Sequence, residues 1–364
     1  MFKLLRFIFS TILAIALAAC YFQAWVPPTI LGKGVFLGFA FPYVWIASIV
    51  VLIFLVLMRA KFSAIVLGAS MLVTSGGILT IVRPWSETQP EHNGRQIKMV
   101  TMNICNLYGG NLGTKLAVED MKQLFADADI VFLQEAPNAQ RLKRLEMPPL
   151  NEIFGFEYQA YDCSSYSTTG KTEGITQVIL SRFPLTVDEP TDEDTDRHVM
   201  SAYATIDGQK VRLINCHLES IRLSAEQINT VSNVSRADIH RGQGTKTELH
   251  ETYSKMRTAF DRRTAQTIYV VDLIKNNNCP VIVGGDFNDT PISFTYHKVS
   301  ELLYDTYRNS TVMFGTTYNS DLPPIRIDYI FHSEQFTSTD YLIHTESQSS
   351  DHYAVSSVLW LGKE

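Results

Sequence analysis

Three stretches of this 364-residue chain carry no charge at all: 7–26 (FIFSTILAIALAACYFQAWV), 35–58 (VFLGFAFPYVWIASIVVLIFLVLM) and 62–82 (FSAIVLGASMLVTSGGILTIV). Each has about 20 residues or more, the length a helix needs to cross about 30 Å of hydrocarbon. A helix is the natural conformation there, because it satisfies its own backbone polar groups. Three transmembrane helices are therefore expected within residues 1–83. Pro27-Pro28, Gly32 and Gly34 punctuate the first connection, and Arg59-Ala60-Lys61 makes the second very tight. A buried soluble bundle is the competing reading, and three such stretches without one acid among them speak against it.

Basic residues set the expected orientation. Lys3 and Arg6 precede the first stretch, and Arg59 and Lys61 separate the second from the third. By the positive-inside rule both places face the cytoplasm, and three crossings put the rest of the chain on the other side. Lys33 and Arg83 weaken this bias without reversing it. Lys3, Arg6, the first apolar run and Leu17-Ala18-Ala19-Cys20 also match a lipoprotein signal with a lipidated Cys20. Against that, Tyr21 onward stays apolar and aromatic where a polar tether is expected. Either way, the expectation is a multi-pass protein of a bacterial inner membrane whose distal part lies at the extracytoplasmic surface.

Residues 84–96 (PWSETQPEHNGRQ) read as a linker, and 97–364 as one large domain. The first 83 residues hold six basic residues and no acid, so all 37 acids and the other 25 Lys and Arg follow them, a formal charge of −12 there. A mean field of that sign does not draw in polyanions. Strands are expected at 97–104, 129–134, 176–182, 198–206, 210–217, 280–285, 325–331 and 353–360, all short runs rich in Val, Ile and Tyr between turn signals. Helices are expected at 114–127, with Thr114 as N-cap and Leu116, Met121, Leu124 and Phe125 inward, and at 252–275, with Met256, Phe260, Ile268, Val271 and Ile274 on one face. Strands covered by a few helices imply two packed sheets with helices outside. Segment 219–253 reads as a long surface excursion. The five cysteines show no metal-ligand or disulfide spacing, so Cys105, Cys216 and Cys279 read as small core residues.

Polar residues recur at the ends of the apolar runs. In CPVIVGGDFNDTP (279–291), Asp286 stands where the strand meets polar sequence. Asn103, Glu135, His217, Asp328 and the pair Asp351-His352 occupy similar places. Turn chemistry accounts for one such residue, but not comfortably for six. Clustered carboxylates repel one another, and buried ones are costly unless paired or metal-bound. Oxygen donors such as Glu135, Asp351 and Asn103 suit a hard ion, Mg²⁺ or Mn²⁺, better than zinc.

The ordered series MNICN (102–106), FLQE (132–135), NCHLE (215–219), GGDFND (284–289), RIDYIF (326–331) and SDHY (350–353) resembles the endonuclease/exonuclease/phosphatase superfamily. This is the fold of pancreatic deoxyribonuclease-like enzymes, apurinic endonucleases, inositol polyphosphate 5-phosphatases and bacterial sphingomyelinases. The resemblance spans about 97–364 and says nothing of the apolar beginning. It implies a four-layer α/β sandwich and a divalent-metal-dependent phosphoester hydrolase. Carried over by motif, Glu135 is the principal metal ligand, with Asn103 beside it and Asp351 as a further metal-site carboxylate. His217 and Asn288 contact the scissile phosphate, and Asp286 orients or deprotonates the attacking water. His352 meets the developing charge while Asp328 orients its ring. Which carboxylate takes the proton stays open.

Tyr161, Tyr166 and Arg182 are candidates for a residue over the site, and Tyr318 is expected to pack beside it. His198, His240, His250 and His297 are expected on the surface or at turns. A phosphoester of a lipid or small molecule fits a membrane tether best. The alternatives are an extracytoplasmic nuclease acting on DNA or RNA and a non-catalytic module that retains the fold.

Overall fold

The structure, a computed structural model, describes residues 2–83, 94–108, 112–161, 175–188, 198–221, 243–309, 315–319 and 324–362, with only the backbone at 243–250. Cys163, Tyr166, His240, the side chain of His250 and most of the expected linker lie outside the described residues.

The apolar beginning forms α1 (Phe2–Phe22), a short α2 (Pro28–Leu31), α3 (Leu37–Leu57), α4 (Lys61–Val73) and α5 (Ser75–Ile81). Two helical stretches, Phe2–Trp25 and Pro28–Leu57, are long and apolar enough to cross a membrane. The third expected span needs correction: α4 and α5 are bent by 53° and reach spanning length only if taken together. Local chemistry accounts for the bend. The Thr74 hydroxyl donates to Ser70 O at 2.9 Å, and Gly76-Gly77 follows; both features bend helices. Gly77 also permits close packing, since a Cβ there would lie 2.7 Å from the Tyr21 ring and 2.9 Å from Phe41. The Ser70 hydroxyl donates to Ala14 O at 2.9 Å, joining α4 to α1.

Beyond residue 94, strands run β1 (Arg95–Asn103), β2 (Ile130–Pro137), β3 (Tyr158–Tyr161), β4 (Ile175–Ser181), β5 (Leu185–Val187), β6 (Val199–Ile206) and β7 (Gln209–His217). They continue as β8 (Val281–Asp286), β9 (Tyr304–Asp305), β10 (Asp328–His332), β11 (Phe336–Ile343) and β12 (Val355–Leu361). They form two six-stranded sheets, ordered β11-β12-β1-β2-β4-β3 and β5-β6-β7-β8-β10-β9. Both sheets are mixed, with β1–β2 and β7–β8 parallel. Their inner faces share one core that includes Met99, Phe132, Ile179, Met200, Leu213, Ile282, Ile330 and Leu359. Helix α6 (Thr114–Phe125) covers the first sheet through Met121 and Phe125, helped by α7 (Ala139–Arg144) and α8 (Leu150–Phe154). Helices α9 (Gln243–Lys275) and α10 (Phe294–Ser300) cover the second through Val270, Tyr296 and Val299. The result is the expected α/β sandwich of four layers.

All eight expected strands form. The four others, β3, β5, β9 and β11, are too short or too polar to stand out. Several finer expectations fail. The cap of α6 is Gly113 at φ +76°, not Thr114, and Leu116 points to solvent at 60% exposure while Ala117 and Val118 are buried. In α9, Ile268 is exposed, because the buried face is largely polar: Arg263, Thr264, Gln266 and Thr267 lie inward. The Arg263 guanidinium donates to Glu219 O and sits 3.3 Å from the Asp289 carboxylate.

The sheets are also joined by amides. Gln134 on β2 donates to Asn215 Oδ1 on β7 at 2.7 Å, and Asn215 Nδ2 is within 3.1 Å of Leu133 O and Val178 O. Both side chains are fully buried. In Asn215→Ala the Gln134 amide keeps only Thr101 Oγ1, and the Leu133 and Val178 carbonyls lose the Asn215 donor, so stability should fall by about 1–3 kcal/mol. A thermal melt of the full chain should show a Tm lower by about 2–4 °C per kcal/mol; an unchanged Tm would contradict this account of the amide pair.

Candidate active site

Strand register assembles the first half of the site. In the second sheet Asp286, the last residue of β8, pairs with His217 across the parallel β7 and with Asp328 across the antiparallel β10. Three residues far apart in sequence thus form one row at one end of the sheet. In the first sheet Asn103 ends β1 opposite Gln134, one residue before Glu135. Packing of the two sheets lets the rows meet: Asn103 Nδ2 donates to the Asp286 carboxylate at 3.2 Å.

His352 closes the group. Its Nδ1 lies 3.1 and 3.2 Å from the two oxygens of Asp328, and its Nε2 lies 3.7 Å from Asp286. His217 Nε2 stands 3.4 Å from Glu135 and 3.9 Å from Asp286. Asn288 grips Asp286 twice, through its backbone N–H at 2.8 Å and its Nδ2 at 3.1 Å, while the same Nδ2 donates to Leu218 O. The Ser350 hydroxyl donates to Asn103 O at 2.7 Å and so fixes the segment that carries Asp351. Tyr318, as expected, packs beside the site: it forms a β-bridge with His352, the rings 4.9 Å apart.

Burial and charge oppose each other here. Asp286, Asp328, His217 and His352 are buried, Glu135 is half-buried and Asp351 is exposed. The site therefore has buried groups at its base and acidic groups nearer solvent. Burial works against the His352 imidazolium, but the Asp328 and Asp286 carboxylates outweigh it and hold the ring's pKa up at about 10. Burial pushes the Asp286 carboxyl up, and His352 and His217 oppose the rise while Asp328 adds to it. Asp286, Asp328 and His352 present ligand atoms within 4.8 Å of one another. Both Asp328 oxygens face His352 Nδ1 within hydrogen-bond distance, while Asp286 stands 3.7 Å from the ring's other nitrogen as an ion-pair partner. Glu135 and Asp351 remain available at the rim, and both act on the Cys105 thiol, which burial first and then these carboxylates push up to about 12. Four carboxylates with two imidazoles leave an excess of negative charge that a divalent cation fits, and the oxygen donors at the rim suit a hard one.

Backbone strain gathers at the same place. Cys105, Asn106, Leu107, Glu135, His198 and Asn288 all have φ between +42° and +60°. Such conformations cost energy and persist only where their surroundings over-determine them.

The structure brings Asn103, Glu135, His217, Asp286, Asn288, Asp328, Asp351 and His352 together, but several neighbouring expectations need revision. His198 is buried, not superficial. Its Nε2 lies 3.7 Å from Glu219, and its ring lies 6.1 Å from that of His217. The signal was present in HVMSAYATI: because β6 is antiparallel to β7, a residue before the start of β6 lies beside the end of β7. Cys105 borders the site and is not a core residue. Arg182 lies at the far end of the sandwich, donating to Ala126 O and Ala128 O. Tyr161 packs against the outer core of the first sheet. His297 is half-buried against Trp25. Thr317, absent from the expected set, accepts from the N–H groups of Ile327 and Asp328. Two open grooves, of about 720 and 530 Å³, surround Asn278 and Cys279 at the opposite end and contain none of these residues.

The family model for the Endonuclease/Exonuclease/phosphatase family matches residues 101–352. The chain belongs to this family. Its fold resembles that of a family protein from Beutenbergia cavernae, at 17% identity, with 74% of this chain and 72% of that one covered and a TM-score of 0.48. A family protein from Bacteroides thetaiotaomicron is similar at 17% identity, 75% and 100% coverage and a TM-score of 0.46. Truncated TDP2 from Caenorhabditis elegans is similar at 19% identity, 74% and 100% coverage and a TM-score of 0.43. No curated protein matches the chain.

Within this family fold, the charge state of His352 depends on a carboxylate partner, which gives a prediction. Asp328→Asn removes a raising influence, so the imidazole should lose its proton at a lower pH than in the parent. NMR titration of the metal-free full chain in micelles reads this directly; an unshifted titration would rule out Asp328 as the stabilising partner.

Proposed function

We propose that this family member is a membrane-anchored, divalent-metal-dependent phosphoester hydrolase that favours lipid or small-molecule substrates. The observation that carries the reading is the meeting of Asn103, Glu135, His217, Asp286, Asn288, Asp328, Asp351 and His352 in one cleft. In this reading residues 1–83 serve as the anchor and 97–364 as the catalytic domain.

Glu135 and Asp351, with Asn103 beside them, would hold Mg²⁺ or Mn²⁺. When bound, the ion supplies charge stabilisation to a phosphoryl oxygen. The remaining chemistry belongs to the chain. Asp286, held by Asn103 and Asn288, orients the attacking water and takes its proton. As the new O–P bond forms, the ester P–O bond opposite it breaks, and the leaving oxygen departs with that electron pair and takes a proton from solvent. His352, kept charged and oriented by Asp328, faces the charge that develops on the phosphoryl group. His217 and Asn288 steady the phosphate before attack.

Two features favour small or lipid phosphoesters over nucleic acid. The −12 formal charge after residue 83 opposes a polyanion. The helices also hold the cleft near a bilayer, which raises its effective concentration at headgroups. With α4 and α5 counted as one crossing, α1, α3 and α4 alternate in direction. Lys3, Arg6, Arg59 and Lys61 then lie at the helix ends remote from the sandwich. By the positive-inside rule those ends are cytoplasmic and the cleft is outside.

The test uses the full chain in lipid nanodiscs, stripped with chelator and then supplied with Mg²⁺ or Mn²⁺. The panel comprises a generic phosphodiester, a phosphomonoester, sphingomyelin, an inositol phosphate, plasmid DNA and abasic DNA. Turnover should require the metal and should favour the lipid or small substrates. Asp286→Ala and His352→Ala should each lower kcat by about 10²–10⁴-fold. Preference for DNA would replace this reading with a nuclease, and parent-like rates in both variants would discard the assigned roles.

A further inference from the structure

The apolar helices do more than sit beside the sandwich. Besides packing Val35 and Phe36 on Phe260 and Trp25 on His297, they touch it at two segments that lead into the catalytic row. Gln23, just after α1, donates its side-chain amide to Ile292 O at 2.6 Å. Ile292 closes the loop that begins at Asp286 and carries Asn288 and Asp289. At the end of α5, Thr80 O accepts from the Arg326 guanidinium at 3.0 Å, and Ile81 O accepts from the Tyr307 hydroxyl at 2.9 Å. Arg326 stands two residues before Asp328. We infer that the membrane helices are a working part of the active site: Gln23 and the C-terminal carbonyls of α5 act as positioning elements for Asn288 and Asp328. The inference rests on the hydrolase reading above and adds a role for residues outside the family motifs.

The chemistry of each contact supports more than incidental packing. The last carbonyls of a helix lack intrahelical donors and carry the negative end of its dipole. A buried guanidinium and a hydroxyl are well matched to them. Arg326 is itself fixed on its other sides, by the Asp305 carboxylate at 2.9 Å and by the faces of the Tyr307 and Tyr329 rings. Gln23, Ile292, Arg326 and Tyr307 are all buried, so the contacts are shielded from competing water. At the Gln23 clamp the fit is close: a Cβ on Gly38 would lie 2.5 Å from Ile292 O and 2.6 Å from Gln23 Nε2. Glycine is the residue that allows this approach.

The two clamps also converge. The Tyr329 hydroxyl lies 2.8 Å from both Asp289 O and Arg326 O, tying together the two segments that the helices hold. Between them sits Asn288 at φ +49°, a conformation that needs outside restraint. Its amide grips Asp286, so a loosened loop would shift the carboxylate assigned to the water. A loosened Arg326 segment would likewise release Asp328 from His352. Small displacements of this kind act on kcat more than on substrate binding.

The experiment compares Gln23→Leu, Tyr307→Phe and Gly38→Ala with the parent as full chains in nanodiscs at saturating metal. A water-soluble phosphodiester serves as substrate, so access to lipid plays no part. Ser70→Ala, which removes the α1–α4 hydrogen bond in the middle of the helices, is the control. Gln23→Leu and Tyr307→Phe should lower kcat about tenfold at unchanged KM, while Ser70→Ala should match the parent. Hydrogen exchange, read on metal-free samples, should quicken at 287–293 in Gln23→Leu and Gly38→Ala and at 324–328 in Tyr307→Phe, with the sheet cores unchanged. Parent-like kcat and exchange in the clamp variants would overturn the inference while leaving the hydrolase reading intact. Equal loss in Ser70→Ala would also overturn it, by showing a general need for a packed anchor. A parent that hydrolyses nothing would remove the hydrolase reading, and the exchange data would still decide whether the helices restrain these loops.

Discussion

Asp286 is a carboxylate buried at the end of a central strand, and the rest of the site depends on how that charge is tolerated. Such a group survives only if donors and opposite charge surround it. Strand register supplies His217 on one side and Asp328 on the other. The facing sheet supplies Asn103, the following turn supplies Asn288, and the segment before β12 supplies His352. No single contact in this set would suffice. Together they create a fixed acid beside a fixed imidazolium, which is the equipment for handling a proton and a developing negative charge at the same place.

The sandwich architecture explains why these groups can be both buried and reactive. Its core is made by apolar residues on two inner faces, and most of the site's polar residues stand at or next to strand ends. Inside the strands, Gln134 donates to Asn215 and links the two sheets. The strained residue Glu135 stands at an irregularity in β2, where its register with β4 shifts between Leu133 and Ala136, and Asn288 stands just beyond the end of β8. Rigid sheets on both sides restrain such conformations. The helices at the start of the chain press on the same end of the sandwich, through Ile292, Arg326 and Tyr307.

The fold and the site were legible to different extents. Long apolar strands and the ordered polar endings stood out, because burial on both faces leaves a continuous apolar run and function leaves an interruption. Edge strands β5, β9 and β11 left weak signals, since strands at the margins bury little. The inward face of α9 misled the periodicity argument, because Arg263, Gln266 and Thr267 are buried by pairing with backbone and carboxylate groups and not by apolar contact. The third apolar stretch was long enough to read as one straight span, yet Thr74 and two glycines divide it. His198 was expected on the surface or at a turn because it stands at the start of an apolar run, and only antiparallel pairing shows that such a place is beside the end of the next strand.

Linear order alone was enough for the apolar beginning, the strand-rich remainder and the identity of the residues at the strand ends. Those follow from hydrophobic length, from alternation and from residue chemistry, all of which are local. Folding decided which of those endings meet. Register set Asp286 between His217 and Asp328, sheet stacking brought Asn103 across, and helix packing brought Gln23 and Thr80 to loops more than two hundred residues away in the chain. These are long-range pairings. Their energy comes from mutual burial and charge, which no stretch of sequence contains by itself.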